Sequence, residues 1–260
     1  MSNKCLLKSV FNSLLVAGVL LASSAQAEVI RINADAFTPE AGKITFSEFA
    51  VGTNNPVYTP VVYGGGAASP TVTFGGRFVG QAAGNAADCP AGAAVSGCVI
   101  GLPTGPLALD ADSPSTFITG DGANPTSPVL SGSPLFNGAI SILFDIDLAG
   151  VGLDGGFFDA IGGTAIRAFD RQGGIIGSVS NEGLGIEFLG LITSDGLAAI
   201  AGLQFFLVGP EPAGFAIDNL IFGKAGQVVL PSAVPVPAAL PLFASALGLG
   251  ALARRRKNLA

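Results

Sequence analysis

The chain has no histidine and no tryptophan, and only one methionine, two tyrosines and three cysteines in 260 residues. Without histidine, no Ser-His-Asp or Cys-His nucleophile system can form, and no imidazole can ligate a metal. The lack of tryptophan and scarcity of tyrosine remove the usual flat platforms for sugar rings, leaving 18 phenylalanines that alternate into candidate core positions. Charge is sparse too, at 12% of residues, and unevenly placed. Residues 28–230 hold six basic side chains against all 18 acidic ones, a net charge of −12 where the whole chain carries −6. So acidic a body disfavours binding to nucleic acid or to anionic lipid, and leaves calcium or cationic polymers as permitted partners.

The missing cations sit at the two ends. Lys4 and Lys8 precede an apolar stretch from Leu14 to Ala22, followed by Ala25-Gln26-Ala27 with small residues at both cleavage positions. This is the pattern of a secretory signal peptide, 1–27, cut after Ala27; an uncleaved anchor is the alternative. Cys5 precedes the apolar region, so it is no lipidation site. At the other end, residues 231–260 read as a proline-bounded spacer, an uncharged run from Ala238 to Ala253 and a basic stop, Arg254-Arg255-Arg256-Lys257. A helix over those 16 residues spans roughly 24 Å, short of the ~30 Å hydrocarbon core. The cations should stay on the cytoplasmic side, leaving the rest of the chain outside. A core helix would show a polar face, and this segment has none.

In that order, Val234-Pro235-Val236-Pro237-Ala238-Ala239-Leu240-Pro241, the apolar span with Gly248-Leu249-Gly250, and Arg254, Arg255 and Arg256 resemble the PEP-CTERM class of exosortase-processed bacterial surface proteins, in its VPxPA variant. Val236 stands where the usual motif has Glu. The resemblance covers about a tenth of the chain. It implies export across the inner membrane of a Gram-negative bacterium and transient anchoring by the C-terminal helix. An exosortase-type enzyme would then remove the tail, leaving the body at the cell surface or in the extracellular matrix.

Residues 28–230 are long enough for one sizeable core and rich in Gly, Phe, Val and Ile. Cys89 and Cys98 are its only cysteines, and an even, closely spaced pair in an exported chain reads as one disulfide. Strand patterns run over 44–49, 57–63 and 71–79. From about 81 to 138 the pattern weakens into Pro- and Gly-rich loops, with six prolines between Pro103 and Pro134 and one strand near 117–119. The clearest strand is Ala139 to Leu148, with Ile140, Ile142, Phe144, Ile146 and Leu148 on one face and Ser141, Asp145 and Asp147 on the other. Further strands are expected at 157–161, 165–170, 174–180, 185–191, 203–208 and 215–222, with a hairpin at Asp170 to Gly174 and one helical turn within 195–202. The spacing predicts an all-β fold, an antiparallel β-sandwich of the jelly-roll kind. The stretch Gly214 to Gly223, with Ile217-Asp218-Asn219 inside it, resembles the last strand of exported sandwich domains that look like carbohydrate-binding jelly rolls.

Catalytic chemistry is thin. Asp110 with Asp112, and Asp145 with Asp147, are i, i+2 pairs of the type a carboxylate-dependent hydrolase needs, and equally solvated strand or loop aspartates. Gly150-Val151-Gly152-Leu153-Asp154-Gly155 satisfies G-x-G-x-x-G, but no helical pattern follows it and Asp154 would repel phosphate, so it reads as a glycine turn between strands. An EF-hand fails on Ala149 and Gly156. A structural calcium using Asp110, Asp112 or Asp218 stays open without an assigned ligand set. The expectation is therefore a non-enzymatic structural or adhesive surface protein, with no catalytic, cofactor or metal residue assigned. Extracellular polysaccharide is a candidate partner. A carbohydrate-binding module, and behind it a carboxylate-dependent hydrolase, are the alternatives.

Overall fold

The computed structural model describes residues 28–123, 127–213 and 215–231. In chain order the strands are β1 (Val29–Ile32), β2 (Gly42–Ile44), β3 (Val57–Tyr58), β4 (Val72–Gly75), β5 (Ala82–Ala83), β6 (Val99–Ile100), β7 (Phe117–Thr119), β8 (Val129–Ser131), β9 (Ile140–Leu148), β10 (Gly150–Phe158), β11 (Thr164–Phe169), β12 (Ile175–Ser180), β13 (Gly185–Thr193), β14 (Ile200–Leu207) and β15 (Ala216–Gly223). They form an all-β, sandwich-like body of antiparallel sheets. The first sheet has the order β1-β13-β10-β15-β8-β7, with β2 also on β15, and the second β12-β11-β14-β9-β4-β3. A separate ribbon pairs β5 with β6.

The core lies between the two sheets. Val151, Leu153, Leu191, Leu220 and Phe222 of the first meet Phe74, Ile142, Phe144, Leu203 and Phe205 of the second, all essentially without solvent contact. Each such side chain contributes about 1.5–3 kcal/mol by leaving water. Phenylalanine fills the larger spaces, in tilted and edge-on contacts such as Phe144 with Phe222, whose centroids are 5.8 Å apart. A smaller cluster of Phe78, Leu107, Phe169 and Ala201 packs on the outside of the second sheet under the long loops. There Gln204 Nε2 donates to Ser141 Oγ (2.9 Å), and Gln81 and Gln204 exchange amide hydrogen bonds, so Ser141 faces away from the main core yet is buried.

Most predicted strands stand where alternation put them, and Phe117–Thr119 and the Asp170 hairpin are both present. In the hairpin Asp170 Oδ1 accepts from Gln172 N and Gly174 N, each at 2.8 Å. Several expectations need correction. The strand expected at 157–161 is the end of β10 followed by a turn, and the one expected at 57–63 stops at Tyr58 before a turn. The Gly150–Gly155 stretch is not a turn but most of β10, the strand held between β13 and β15. Its glycines are there because neighbours lie flat on the backbone: a Cβ on Gly152 would stand 2.3 Å from the Phe188 ring, and one on Gly155 2.7 Å from that of Phe158. Ile146 is only half-buried and stands outside the main core, because β9 takes five steps from Leu143 to Leu148 while β14 takes two from Gly202 to Ile200. That bulge breaks the two-residue alternation. The strand expected at 44–49 stops at Ile44: Phe46 adopts a φ of 57° and Glu48 Oε1 accepts from Thr45 N at 3.0 Å, which turns the chain. No helical turn forms at 195–202, where a turn leads straight into β14.

Candidate functional site

Two neighbouring strands build the site. Asp154 of β10 lies opposite Phe188 on one side and Asp218 of β15 on the other. Leu153 and the Cα of Gly155 face the core, so Asp154 projects from the outer face of the first sheet. Between Gly152 and Asp154 the pairing moves from Ile221 to Asp218, three steps on β15 against two on β10, a bulge with Asn219 at a φ of 45°. Asparagine tolerates this left-handed conformation better than most residues. The bulge brings Asp218 and Asn219 together beside Asp154, while Ile217 and Leu220 return to the core.

Asn219 holds the group together. Its Nδ2 donates to Asp154 Oδ2 at 2.9 Å and to Asp218 Oδ2 at 3.2 Å, and its backbone N–H donates to Asp218 Oδ1 at 2.7 Å. Asp218 is buried, at 3% exposure. Burial pushes the Asp154 carboxyl above the usual carboxylate range, opposed by the Asn219 amide and the Lys43 charge. Around these groups lies a cleft of about 150 Å³, lined also by Asp121, Val129, Gly156 and Ile186. Ile186 gives the cleft an apolar edge beside the polar groups; Phe157, half-exposed, lies with its ring over Gly185. The arrangement offers carboxylate acceptors next to an apolar edge.

The acidic pairs singled out in the sequence serve other ends. Asp110 accepts from Asp112 N at 3.0 Å and stands 3.8 Å from Arg77 Nη2. Asp145 Oδ1 accepts from Thr71 N at 2.8 Å, joining β9 to the start of β4. Asp147 pairs with Arg171 at 2.6 Å. Asp218 belongs to the first sheet, whereas Asp110 and Asp112 sit in a loop beside the second, and the three do not converge. Among the described residues no group of three His, Cys, Asp or Glu is placed to hold a metal ion. The pairing of Asp154 with Asn219 is not among the sequence expectations; the one local sign of it is an Asp-Asn pair interrupting an apolar strand. Cys89 and Cys98 are bonded, with Cα atoms 5.8 Å apart. The signal-cleavage residues Ala25 and Ala27, the motif Val234 to Pro237, the apolar helix 238–253 and Arg254 to Arg256 lie outside the described residues. Among the described residues no helix is long and apolar enough to cross a membrane.

No protein-family model and no curated protein matches the chain. One solved structure that it resembles is the enzymatically active domain of tailspike protein 4 from bacteriophage CBA120, at 17% identity and a TM-score of 0.22. The match covers 61% of this chain and 18% of that one, so the chain spans about a fifth of the phage protein, and at this score the likeness carries no argument about function.

Proposed function

We propose that this chain is an exported cell-surface or extracellular-matrix protein of structural or adhesive type, whose sandwich body is delivered by an N-terminal signal and a C-terminal exosortase-read tail. The supporting observation is where the body's two ends lie. Glu28 O accepts from Ser194 N, and Leu230 packs over Gly196, its Cδ1 3.3 Å from where a Cβ would stand. Both ends thus leave from the turn between β13 and β14. A body with its ends at one pole can hang from a membrane signal on either side without the chain crossing itself. The disulfide fits an oxidising compartment. Intact mass of the secreted protein tests the reading: it should begin near Glu28 and end near Pro235, and a mass retaining Arg254 to Lys257 would refute processing.

A second reading, a carbohydrate-binding module of the jelly-roll type, draws on two observations. The order β8-β15-β10-β13 against β9-β14-β11-β12, with successive strands mostly alternating between sheets, is that of two Greek keys. The cleft then supplies acceptors for sugar hydroxyls in Asp154 and Asp218, with Ile186 for an apolar sugar face. A glycan array should give hits that Asp154→Asn abolishes; an array without hits removes this reading and leaves the first. Release of reducing ends by the parent but not by Asp154→Asn would instead make the carboxylate pair hydrolytic.

A further inference from the structure

One side of the sandwich ends in two open edges. β12 is the last strand of the second sheet, paired only with β11, and β1 is the last of the first, paired only with β13. Asn181 N donates to Thr164 O, so Val179 and Gly177 bond to β11 while Ser178 and Ser180 turn their backbone groups outward. Ser180 O has that phase: it accepts from Arg31 Nη2. On β1, Ser194 N donates to Glu28 O, so Val29 and Arg31 are the outward residues. The edges on the far side differ. β3 has two residues and β7 three, and the 52–55 loop already bonds to β7, with Gly52 N donating to Ile118 O at 2.8 Å and Ile118 N to Thr53 O at 3.0 Å.

The two open edges are in step. β12 turns through 181–184 into β13, and β1 is antiparallel to β13, so β1 and β12 run in the same direction. Val29 Cγ2 stands 2.4 Å from where a Cβ on Gly177 would be, so Val29 lies directly beneath Gly177. Both strands advance about 3.3 Å per residue, which sets Ser178 above Ile30. Neither edge carries the charges or prolines that commonly keep a second strand away. β12, Ile-Ile-Gly-Ser-Val-Ser, has none, and Arg31, the one charge of β1, is held by Glu182 at 3.3 Å and Glu187 at 3.2 Å within its own chain. In a body of net charge −12, these two strands contribute no acidic residue.

We propose that this side is a contact between two copies of the chain, related by a two-fold axis normal to the sheets that passes beside Ser178 and Ile30. A lone extended strand fits one of the edges. The same side of a second copy, turned through the two-fold, supplies two reversed strands at the matching spacing and in the matching phase. β12 then pairs antiparallel with its symmetry mate, Ser178 facing Ser178, and β1 with its own, Val29 facing Arg31, so both sheets continue across the pair.

Sedimentation equilibrium of the full chain in density-matched detergent should show a dimer. Ser178→Pro removes an N–H that faces away from β11, and Ser178→Asp places a carboxylate beside Arg167 within one chain but opposite its own mate across the axis. Each should weaken the dimer at least about tenfold, with circular dichroism like the parent's; should the proline variant fail to fold, the aspartate variant decides. A hydrogen-bonded antiparallel pair holds its Cα atoms about 5.5 Å apart, within disulfide reach. In a Cys5→Ser background, Ser178→Cys should therefore cross-link two chains on mild oxidation, and Val57→Cys on the far edge should not. A monomeric parent overturns the proposal, as do equal cross-linking at both positions and a dimer that the variants leave intact, which would place the contact elsewhere, the C-terminal tail included. Species larger than a dimer overturn it too, because they require a different surface on the second copy.

Discussion

Asn219 Nδ2 donates to Asp154 Oδ2 across 2.9 Å of space and 65 residues of sequence. The same nitrogen serves Asp218, so one amide keeps two carboxylates side by side in a cleft on the outer face of the first sheet. Removing it should be costly in a particular way. Asn219→Gly loses hydrogen bonds to charged groups, worth about 1.5–3 kcal/mol. Asn219→Ala loses the same bonds and must also hold alanine at a φ of 45°, costing about 1 kcal/mol more than the glycine variant. Urea unfolding of the two variants checks the order; alanine as stable as glycine would show that the left-handed bulge is not what places Asn219.

Glu211 offers a pH test. It is fully buried, and both its oxygens accept from Asp159 N at 3.1 Å, while its own carbonyl accepts from Ala94 N in the disulfide loop. Burial raises its pKa, the Asp159 and Ala160 N–H groups oppose the rise, and the Asp159 charge adds to it. The folded state therefore holds this proton more tightly than the unfolded chain. That contribution to stability is present at low pH and is lost as pH rises from the ordinary glutamate value of 4.5 through the folded pKa. Glu211→Gln should flatten this part of the stability–pH curve; an unchanged curve would show that other carboxylates set it.

Phe144 is completely buried between the sheets, and the neighbouring Asp145 is exposed. Phe144→Ala should cost about 3–5 kcal/mol, a large share of a domain's usual 5–15. Asp145→Asn keeps an acceptor for Thr71 N and should cost under about 1 kcal/mol. Equal losses in urea unfolding would contradict the packing of the two sheets on each other.

Reducing the Cys89–Cys98 bond should act locally. A loop closed over so few residues is worth about 2–3 kcal/mol in the chain-entropy model. The bond sits beside the small β5–β6 ribbon, which pairs with neither main sheet: Gly84 N donates to Cys98 O at 2.9 Å beside the sulfurs. Amide exchange on reduction should quicken over 82–100 and stay slow in β9, β10 and β14. Fast exchange throughout would mean that the bond supports the whole sandwich.

The parts of this protein that its sequence alone determined are those with a local cause. Period-two alternation marks a strand wherever one face is buried, as in Ile140, Ile142 and Phe144. The Asp170-to-Gly174 turn carries its own caps, and two cysteines nine positions apart close their own loop. Tertiary structure decided whatever depends on a distant neighbour. Glycines of the Gly150–Gly155 stretch belong to a strand because Phe188 and Phe158 lie on them, so a run that reads locally as a turn sits between two partner strands. Ile146 leaves the core because β14 slips against β9, a fact of pairing that alternation in β9 cannot contain. The cleft exists only because a bulge in β15 falls opposite Asp154, so that a carboxylate from one strand and an Asp-Asn pair from another meet. Neither segment, read by itself, carries the register that joins them.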